Sequence, residues 1–472
     1  MKYLIYISAL CITLSCTDDL IESPKSLVVE SFYNTKAEVE TAIAAIYDPF
    51  RSGSVFGAIY LSQQECKSDQ IRECRGSWVP VSEFEGLNNT NISRISGTWV
   101  QLYRSIRNAN LVIGNVSNGK ELTESEKAQY IAEAKFLRAL AYFHLVRNWG
   151  GVPLRTEENS DEADLSRNSV DEVYDLIQED LVSAEKSLPT SSISGRANIW
   201  AAKALLADVY LNLEKYSLAA EKANDIIKSG NFSLVPVEKP EDFELLYGSS
   251  VVGSPEVIFS FNFNETSGWS HVRYAHGVNV PYLGVSGYYV FYSDAQQPNY
   301  VNWDDNDLRK QYNWYSWDTP LGELLMNKKF SDPGQLVARN DYPLYKYSEI
   351  LLLYSEAISR SKESPSEEAV NALNQVHRRA YGYNSENGSP VDFVVEDFNL
   401  EELINIIIKE RGYETQGEGK RWLDLKRLGK AKEYIKETLN KEVSDKSLLW
   451  PIPDNEINFN KAISPSDQNP GY

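Results

Sequence analysis

Apolar residues recur at helical spacing from about residue 35 to 230 and again from 347 to 439, and the pattern fails in between. Thr35 followed by Glu38 is a capping box that opens a first helix. Trp99, Leu102, Ile106 and Ala109 fall on one face of a second, predicted over 99–112. Residues 51–95 carry Gly, Ser and Asn with few periodic apolar positions and read as loop. A second capping box, Thr123 with Glu126, starts a long helix. Ala134, Leu137, Ala141 and Leu145 line one of its faces, and Phe136, Leu140 and Phe143 line another, so this helix is predicted to be covered on two sides. Gly150, Gly151 and Pro153 stop it. Ser169 with Glu172 caps the next helix, to about Leu188.

The clearest unit is 197–230. Ala202, Leu206, Tyr210 and Leu213 precede a short turn, and Ala219, Ala223 and Ile226 follow it, with Gly230 closing a 34-residue helix pair. That is the length and small-residue pattern of a tetratricopeptide repeat. The segments 123–188 and 345–380 read as looser copies. Two further helices are predicted over 400–411 and 420–439, and the residues from Pro451 onward as an extended tail. The fold class that follows is mostly α, with tetratricopeptide-like helix pairs forming an α-solenoid scaffold.

Between 240 and 340 the character changes. From Phe261 to Trp317 there are 15 aromatics in 57 residues, about twice the density of the whole chain, interleaved with Gly, Asn, Asp and Pro. A stretch this long does not stay structureless inside a folded domain, so short strands, a function, or both are expected. Phe259, Phe261 and Phe263 alternate as in a strand. In "NWYSW" (313–317), alternation places Tyr315 and Trp317 on one face and Trp314 on the other. Flat rings suit the C–H face of a sugar, and Asn, Asp, Gln and Arg suit its hydroxyl rim. Trp269, Tyr288, Tyr289, Trp303, Trp314, Tyr315 and Trp317 lie beside Gly, Ser, Asn or Asp and are the candidate platforms, with core packing as the competing role. At least one of Trp314 and Trp317 is expected to face outward.

The N-terminus adds a location. Lys2 and the apolar run Tyr3–Leu14 read as a signal peptide, too short to span a bilayer. Leu14-Ser15-Cys16 looks like a lipoprotein cleavage site, which makes Cys16 the lipidated first residue and leaves residues 16–30 as a tether. Asp18, Asp19 and Glu22 resemble a surface-export signal. Residues 31–472 then form a single domain, with helical halves at 31–240 and 341–472 around the aromatic insert 241–340. Processing removes Lys2 and takes the net charge from −20 to −21, which argues against nucleic acid or anionic lipid as partner. It also leaves Cys66 and Cys74, an exported pair seven apart in sequence that could close a small disulfide loop or stay as two buried thiols.

Motifs for catalysis are missing. There is no G-x-S-x-G and no H-E-x-x-H, and "GEGK" at 417–420 lacks the P-loop spacing. His271 and His276 do not have metal-ligand spacing. "WDDNDLR" at 303–309 gathers oxygens, but adjacent residues cannot all wrap one calcium ion, and a solvated turn is the simpler reading. Glu410, Arg411, Glu414, Glu418, Arg421, Asp424 and Arg427 are read as an ion-pair network fixing the C-terminal helices. No cofactor, metal or enzymatic activity is expected.

Several stretches, in order, resemble the SusD/RagB family of outer-membrane lipoproteins of Bacteroidetes. They are "WVQLYRSIRNAN" from Trp99, "AEAKFLRALAYFHLVRNWGGVPL" from Ala132, "YPLYKYSEILLLYSEAISR" from Tyr342, "ALNQVHRRAYG" from Ala372, "KERGYETQGEGKRWLDLKRLGK" from Lys409, "LLWPIPDNEINFN" from Leu448 and the terminal "QNPGY". Gly412 and Thr415 depart from the family's usual basic residue and leucine. The resemblance implies a surface lipoprotein that binds oligosaccharide on a loop-built face and delivers it to a partner SusC-like TonB-dependent transporter. It also adds Trp78, in the 51–95 loop stretch, to the candidate platforms, because members carry a binding aromatic in this region. A peptide ligand in the same family, or a tetratricopeptide scaffold that binds only protein, are the alternatives. Burial of Trp78, Trp269, Trp303, Trp314 and Trp317 together would favour the peptide.

Overall fold

The computed structural model describes residues 32–472 except 192, 321 and 335. The signal peptide, Cys16 and the tether to residue 30 lie outside the described residues.

All three capping boxes form. Thr35 Oγ1 accepts from the Glu38 N–H at 3.3 Å while the Glu38 carboxylate accepts from the Thr35 N–H at 2.8 Å, which starts helix α1 (Lys36–Arg51). The same reciprocal pairs open α4 (Glu124–Trp149) and α5 (Val170–Glu185). The 51–95 stretch is not simply loop. It contains α2 (Ile59–Glu65), and α3 (Asn89–Asn115) begins ten residues before Trp99, capped by the Asn88 side chain. The helix pair expected at 197–230 forms α6 (Ile199–Asn212) and α7 (Tyr216–Lys228). After the insert come α8 (Tyr347–Lys362), α9 (Glu367–Ala380) and α10 (Leu400–Glu414). The predicted helix 420–439 is two, α11 (Arg421–Arg427) and α12 (Ala431–Leu439), because Gly429 turns the chain with a φ of +68° that L-residues resist.

The helices stack in chain order. Helix α1 packs on α3, α3 on α4, α4 on α5, α5 on α6 and α6 on α7. Helix α7 then packs directly on α8, across the whole insert, and α8 packs on α9 and α10. The solenoid is therefore continuous and the insert is extruded from it. Every residue of α4 from Phe136 to Val146 is buried, as two apolar faces require. The tail is pinned rather than loose: Trp450 N–H donates to Asn148 O at 2.7 Å, Trp149 Nε1 to Pro451 O at 2.9 Å, and a short helix (Asp454–Phe459) interrupts it.

Short antiparallel pairs form within the insert and tie it to the flanking chain. Strand β1 (Glu73–Cys74) pairs with β3 (Phe291–Tyr292), β2 (Val257–Phe261) with β6 (Tyr342–Lys346), and β4 (Trp314–Thr319) with β5 (Gly322–Asn327). Reciprocal hydrogen bonds between Ser293 and Leu325 (2.9 and 3.0 Å) join the β1–β3 pair to the β4–β5 hairpin.

Beneath the insert lies the ion-pair network, buried and more extensive than the C-terminal helices alone. Arg421 makes two 2.8 Å bonds to Asp69, and Arg427 holds Glu356 at 2.7 and 2.9 Å. Arg309 reaches Glu410 at 2.7 Å and Arg379 reaches Glu414 at 2.7 Å. Glu418 collects Lys329, Lys346 and Lys420 at 2.6 to 2.9 Å. Burial works against the charge of Glu410, but Arg309 and His377 outweigh it and hold the carboxyl down at about 2. Glu414 and Glu418 are held below the ordinary range in the same way, burial being outweighed by Arg379 and Arg309 for the first and by the lysines for the second. Glu65 goes the other way. Burial pushes it up to about 7, although it accepts from the N–H groups of Gly419 (3.0 Å) and Gly417 (3.2 Å). The "GEG" sequence thus wraps a carboxylate of its own chain, with both glycines at positive φ.

Candidate functional site

The rings singled out in the sequence have two fates. Trp269 is fully buried: its Nε1 donates to Phe56 O at 2.7 Å and its ring packs between Phe263, Phe330 and Tyr342. Trp303 lies flat on Tyr413, with centroids 3.9 Å apart and planes 5° off parallel, and donates to Asp307 at 2.8 Å. Trp314 points inward against Tyr300. Trp78 is covered by the Arg94 guanidinium, 4.1 Å above its ring, and by the edge of Tyr274. A ring sealed this way has no free face for a sugar, so Trp78, Trp269, Trp303 and Trp314 are corrected from platform to core. Asp307, in the expected solvated turn, is buried too, where it caps the short helix Leu308–Asn313 and binds Arg309.

Tyr288 is exposed, and Tyr289, Tyr315 and Trp317 are partly exposed. In the strand β4, Trp314 is buried and the Tyr315 and Trp317 face is not, which is the alternation read from "NWYSW". Tyr315 is committed to structure: its hydroxyl accepts from the Gly277 N–H at 2.9 Å and its ring packs on Tyr282. Trp317 is the outward tryptophan. One side of its indole lies on Gly277, where an added Cβ would sit 2.7–3.1 Å from the ring carbons, so only glycine lets the ring lie flat there. Tyr289 meets the indole edge-on with centroids 4.8 Å apart.

The backbone at Tyr289 is strained to hold that contact. Its φ is +36°, a value that non-glycine residues rarely adopt and that tends to mark functional positions. The strain is supported from both sides by Tyr288 N–H to Arg273 O (2.6 Å) and Tyr289 N–H to His276 O (2.9 Å). Gly287 allows this close approach, since a Cβ there would fall 2.2 Å from the His276 carbonyl oxygen.

Tyr289 is also the wall of an open cleft of about 490 Å³ between β1, β3 and the hairpin. Arg72, Glu73, Arg75, Tyr292, Asp294, Thr319 and Glu323 complete its polar lining. The Arg75 guanidinium lies 3.3 Å over the Tyr289 ring, and Arg273 lies 4.3 Å over Tyr288. Arg72 pairs with Asp294. The Tyr292 hydroxyl donates to Glu73 at 2.9 Å, and burial with that carboxylate pushes the phenol up to about 12. Two cations and three carboxylates line the space, and Arg75 covers one face of the Tyr289 ring. That is a surface for a neutral, hydroxyl-rich ligand rather than for an anion. Arg72, Arg75, Asp294 and Glu323 were not legible as site residues. Tyr292 was one of the insert's many aromatics with nothing to single it out.

Cys66 and Cys74 do not form the expected disulfide. Both are buried free thiols that face each other, and burial followed by contact with Cys74 pushes the Cys66 thiol well up. Among the described residues there is no cluster of side chains able to hold a metal ion, and no helix is long and apolar enough to cross a membrane.

Two family models match the chain in succession. One is described as starch-binding, associating with the outer membrane, over residues 21–211, and the other as the SusD family, over 263–472. A SusD-like protein, P38, of Formosa agariphila is 29% identical over 96% of this chain and 95% of its own length. A SusD homolog from Bacteroides thetaiotaomicron shares the fold with a TM-score of 0.81 at 22% identity, covering 94% of this chain and 98% of that one. A laminarin-binding SusD-like protein (TM-score 0.73, 23% identity, 93% and 100% covered) and surface glycan-binding protein A from Bacteroides fluxus (0.75, 24%, 93% and 100%) share it too. The helix-pair scaffold, the ordered matches over both halves and the end-to-end relative together make this chain a member of the SusD/RagB family.

Proposed function

We propose that this chain is a cell-surface lipoprotein, anchored through Cys16 in the outer membrane, that captures a neutral oligosaccharide or polysaccharide and hands it to a SusC-like TonB-dependent transporter without cleaving it. The observation that carries the reading is the partly exposed Trp317–Tyr289 pair, held by Gly277 and a strained backbone at the edge of the 490 Å³ cleft. The partly exposed indole of Trp317 adjoins Tyr289, and Tyr289 adjoins the guanidinium and carboxylate groups of the cleft, which together suit the apolar face and the hydroxyl rim of a sugar. The names of two structural neighbours, laminarin-binding and surface glycan-binding, point the same way. Trp317 is not buried, so the condition set for a peptide ligand is not met.

Titration of the mature, lipid-free protein against a panel of neutral polysaccharides tests this. Binding that Trp317→Ala abolishes supports it. Binding of peptides and of no glycan would overturn it.

A further inference from the structure

A second cleft, about 730 Å³, lies between α3 and the segment after α4. It shares no lining residue with the aromatic cleft. Arg104 and Arg107 stand one turn apart on α3 and both are exposed. Among the described residues neither makes a hydrogen bond or an ion pair with the protein. Arg155 faces them across the cleft and donates only to the carbonyls of Glu162 and Ala163, so its charge also lacks a carboxylate partner. Of the two carboxylates in the lining, Glu157 pairs with the buried Arg138, which also holds Asp180, and Glu456 accepts from the neutral Asn460 amide at 2.8 Å. In a chain of net charge −20, three guanidiniums against two carboxylates give this cleft a local excess of positive charge. The floor is apolar: Tyr103 packs on the buried Trp99 with centroids 4.8 Å apart, and its hydroxyl is engaged with Pro153 O at 2.8 Å. What Tyr103 presents to the cleft is therefore ring.

We propose that this cleft is a second ligand site, for a sugar unit bearing a carboxylate or a sulfate. The paired guanidiniums of Arg104 and Arg107 and the facing Arg155 would hold the anion, and Tyr103 would lie under the ring. Arginine forks match such planar or tetrahedral oxyanions, and the volume is in the range of small-ligand sites. Choosing a sugar over another small anion rests on the glycan reading above; the charge of the ligand does not.

The test is calorimetric titration of the mature protein, wild type and Arg104→Ala/Arg107→Ala, with three probes: oligouronates, sulfated galactan oligosaccharides and neutral laminarin oligosaccharides. Both substituted residues are exposed, and a thermal melt checks that the variant is folded. At least one anionic probe should bind, weaken as salt rises, and lose about tenfold or more in affinity in the variant. The uronate and sulfate arms show which anion is preferred. Laminarin affinity, if any, should be the same in both proteins. Anionic probes that fail to bind, or that bind the variant as well as the wild type, overturn the second site. Failure of every neutral probe, with anion binding intact and arginine-dependent, would instead count against the aromatic cleft alone.

Discussion

Indole, guanidinium and carboxylate groups appear twice in this molecule, once sealed and once open. Around Glu410 to Arg421 and Trp269 they are buried in the fold, charge-paired, and pinned at 2.6–3.1 Å. In the cleft between β1, β3 and the hairpin the same groups are partly exposed, and their charges are partly unmatched by neighbours. The first arrangement fixes the scaffold and has no surface to offer a ligand. The second contributes little to the fold and presents ring faces and donors to solvent. Chemistry alone does not distinguish a binding site from a core; the completeness of the surroundings does.

Substitutions should separate the two regions cleanly. The largest effect is expected from Glu418→Ala, which strands the buried ammonium group of Lys329 and leaves Lys346 and Lys420 to share Glu349. Breaking a buried pair in this way costs about 3–5 kcal/mol, which chemical denaturation should show. Trp269→Ala opens a cavity in the sealed set and should cost about 3–4 kcal/mol by the same measurement, with the ligand profile of the folded fraction unchanged.

Acid should act on the sealed region as a whole. The carboxyls of Glu410, Glu414 and Glu418 are lowered in the folded state, so the stability they contribute is present above their ordinary range near 4.5 and is lost as pH falls from there toward 2. Glu65, raised to about 7, has the opposite sign and weakens the fold as pH rises through that value. Burial also depresses His144, His271 and His276, which must charge on unfolding below about 6.5, so a pH series of denaturation midpoints should begin to fall there and steepen below about 4.5. Gly277→Ala lies between the regions. Its methyl must push Trp317 off the backbone, and overpacking of about 1–3 kcal/mol should accompany weakened glycan binding. The smallest stability effect is expected from Tyr292→Phe, which removes a single hydrogen bond to Glu73 worth about 1 kcal/mol.

The helices were legible because their apolar residues carry the period of the structure. Helix α2 was not, because its core-facing residues are polar. Ser62, Gln63 and Gln64 are buried against His271, Asn91 and Asn148, and Glu65 against Gly417 and Gly419, partners far away in sequence. The split at Gly429 was hidden for a different reason: apolar positions continue on both sides of the turn. Within the insert, alternation correctly set Trp314 apart from Tyr315 and Trp317. It could not separate Trp303 from Trp317, since both sit beside aspartate. What buries Trp303 is Tyr413 on α10, and what leaves Trp317 open is its seat on Gly277 at the protein surface. Arg72 and Arg75 look like ordinary solvated charges until β1 pairs with β3 and brings them to Tyr289.

The most direct test is to titrate the wild type and Trp317→Ala against the neutral glycan that the wild type binds best, with thermal melts of both. Trp317 is only partly buried and lies outside the main core, so the melt should move modestly with the protein still folded while affinity falls below detection. An unchanged affinity, or a loss of binding that only tracks a loss of folded protein, would contradict the assignment of Trp317 as the open platform.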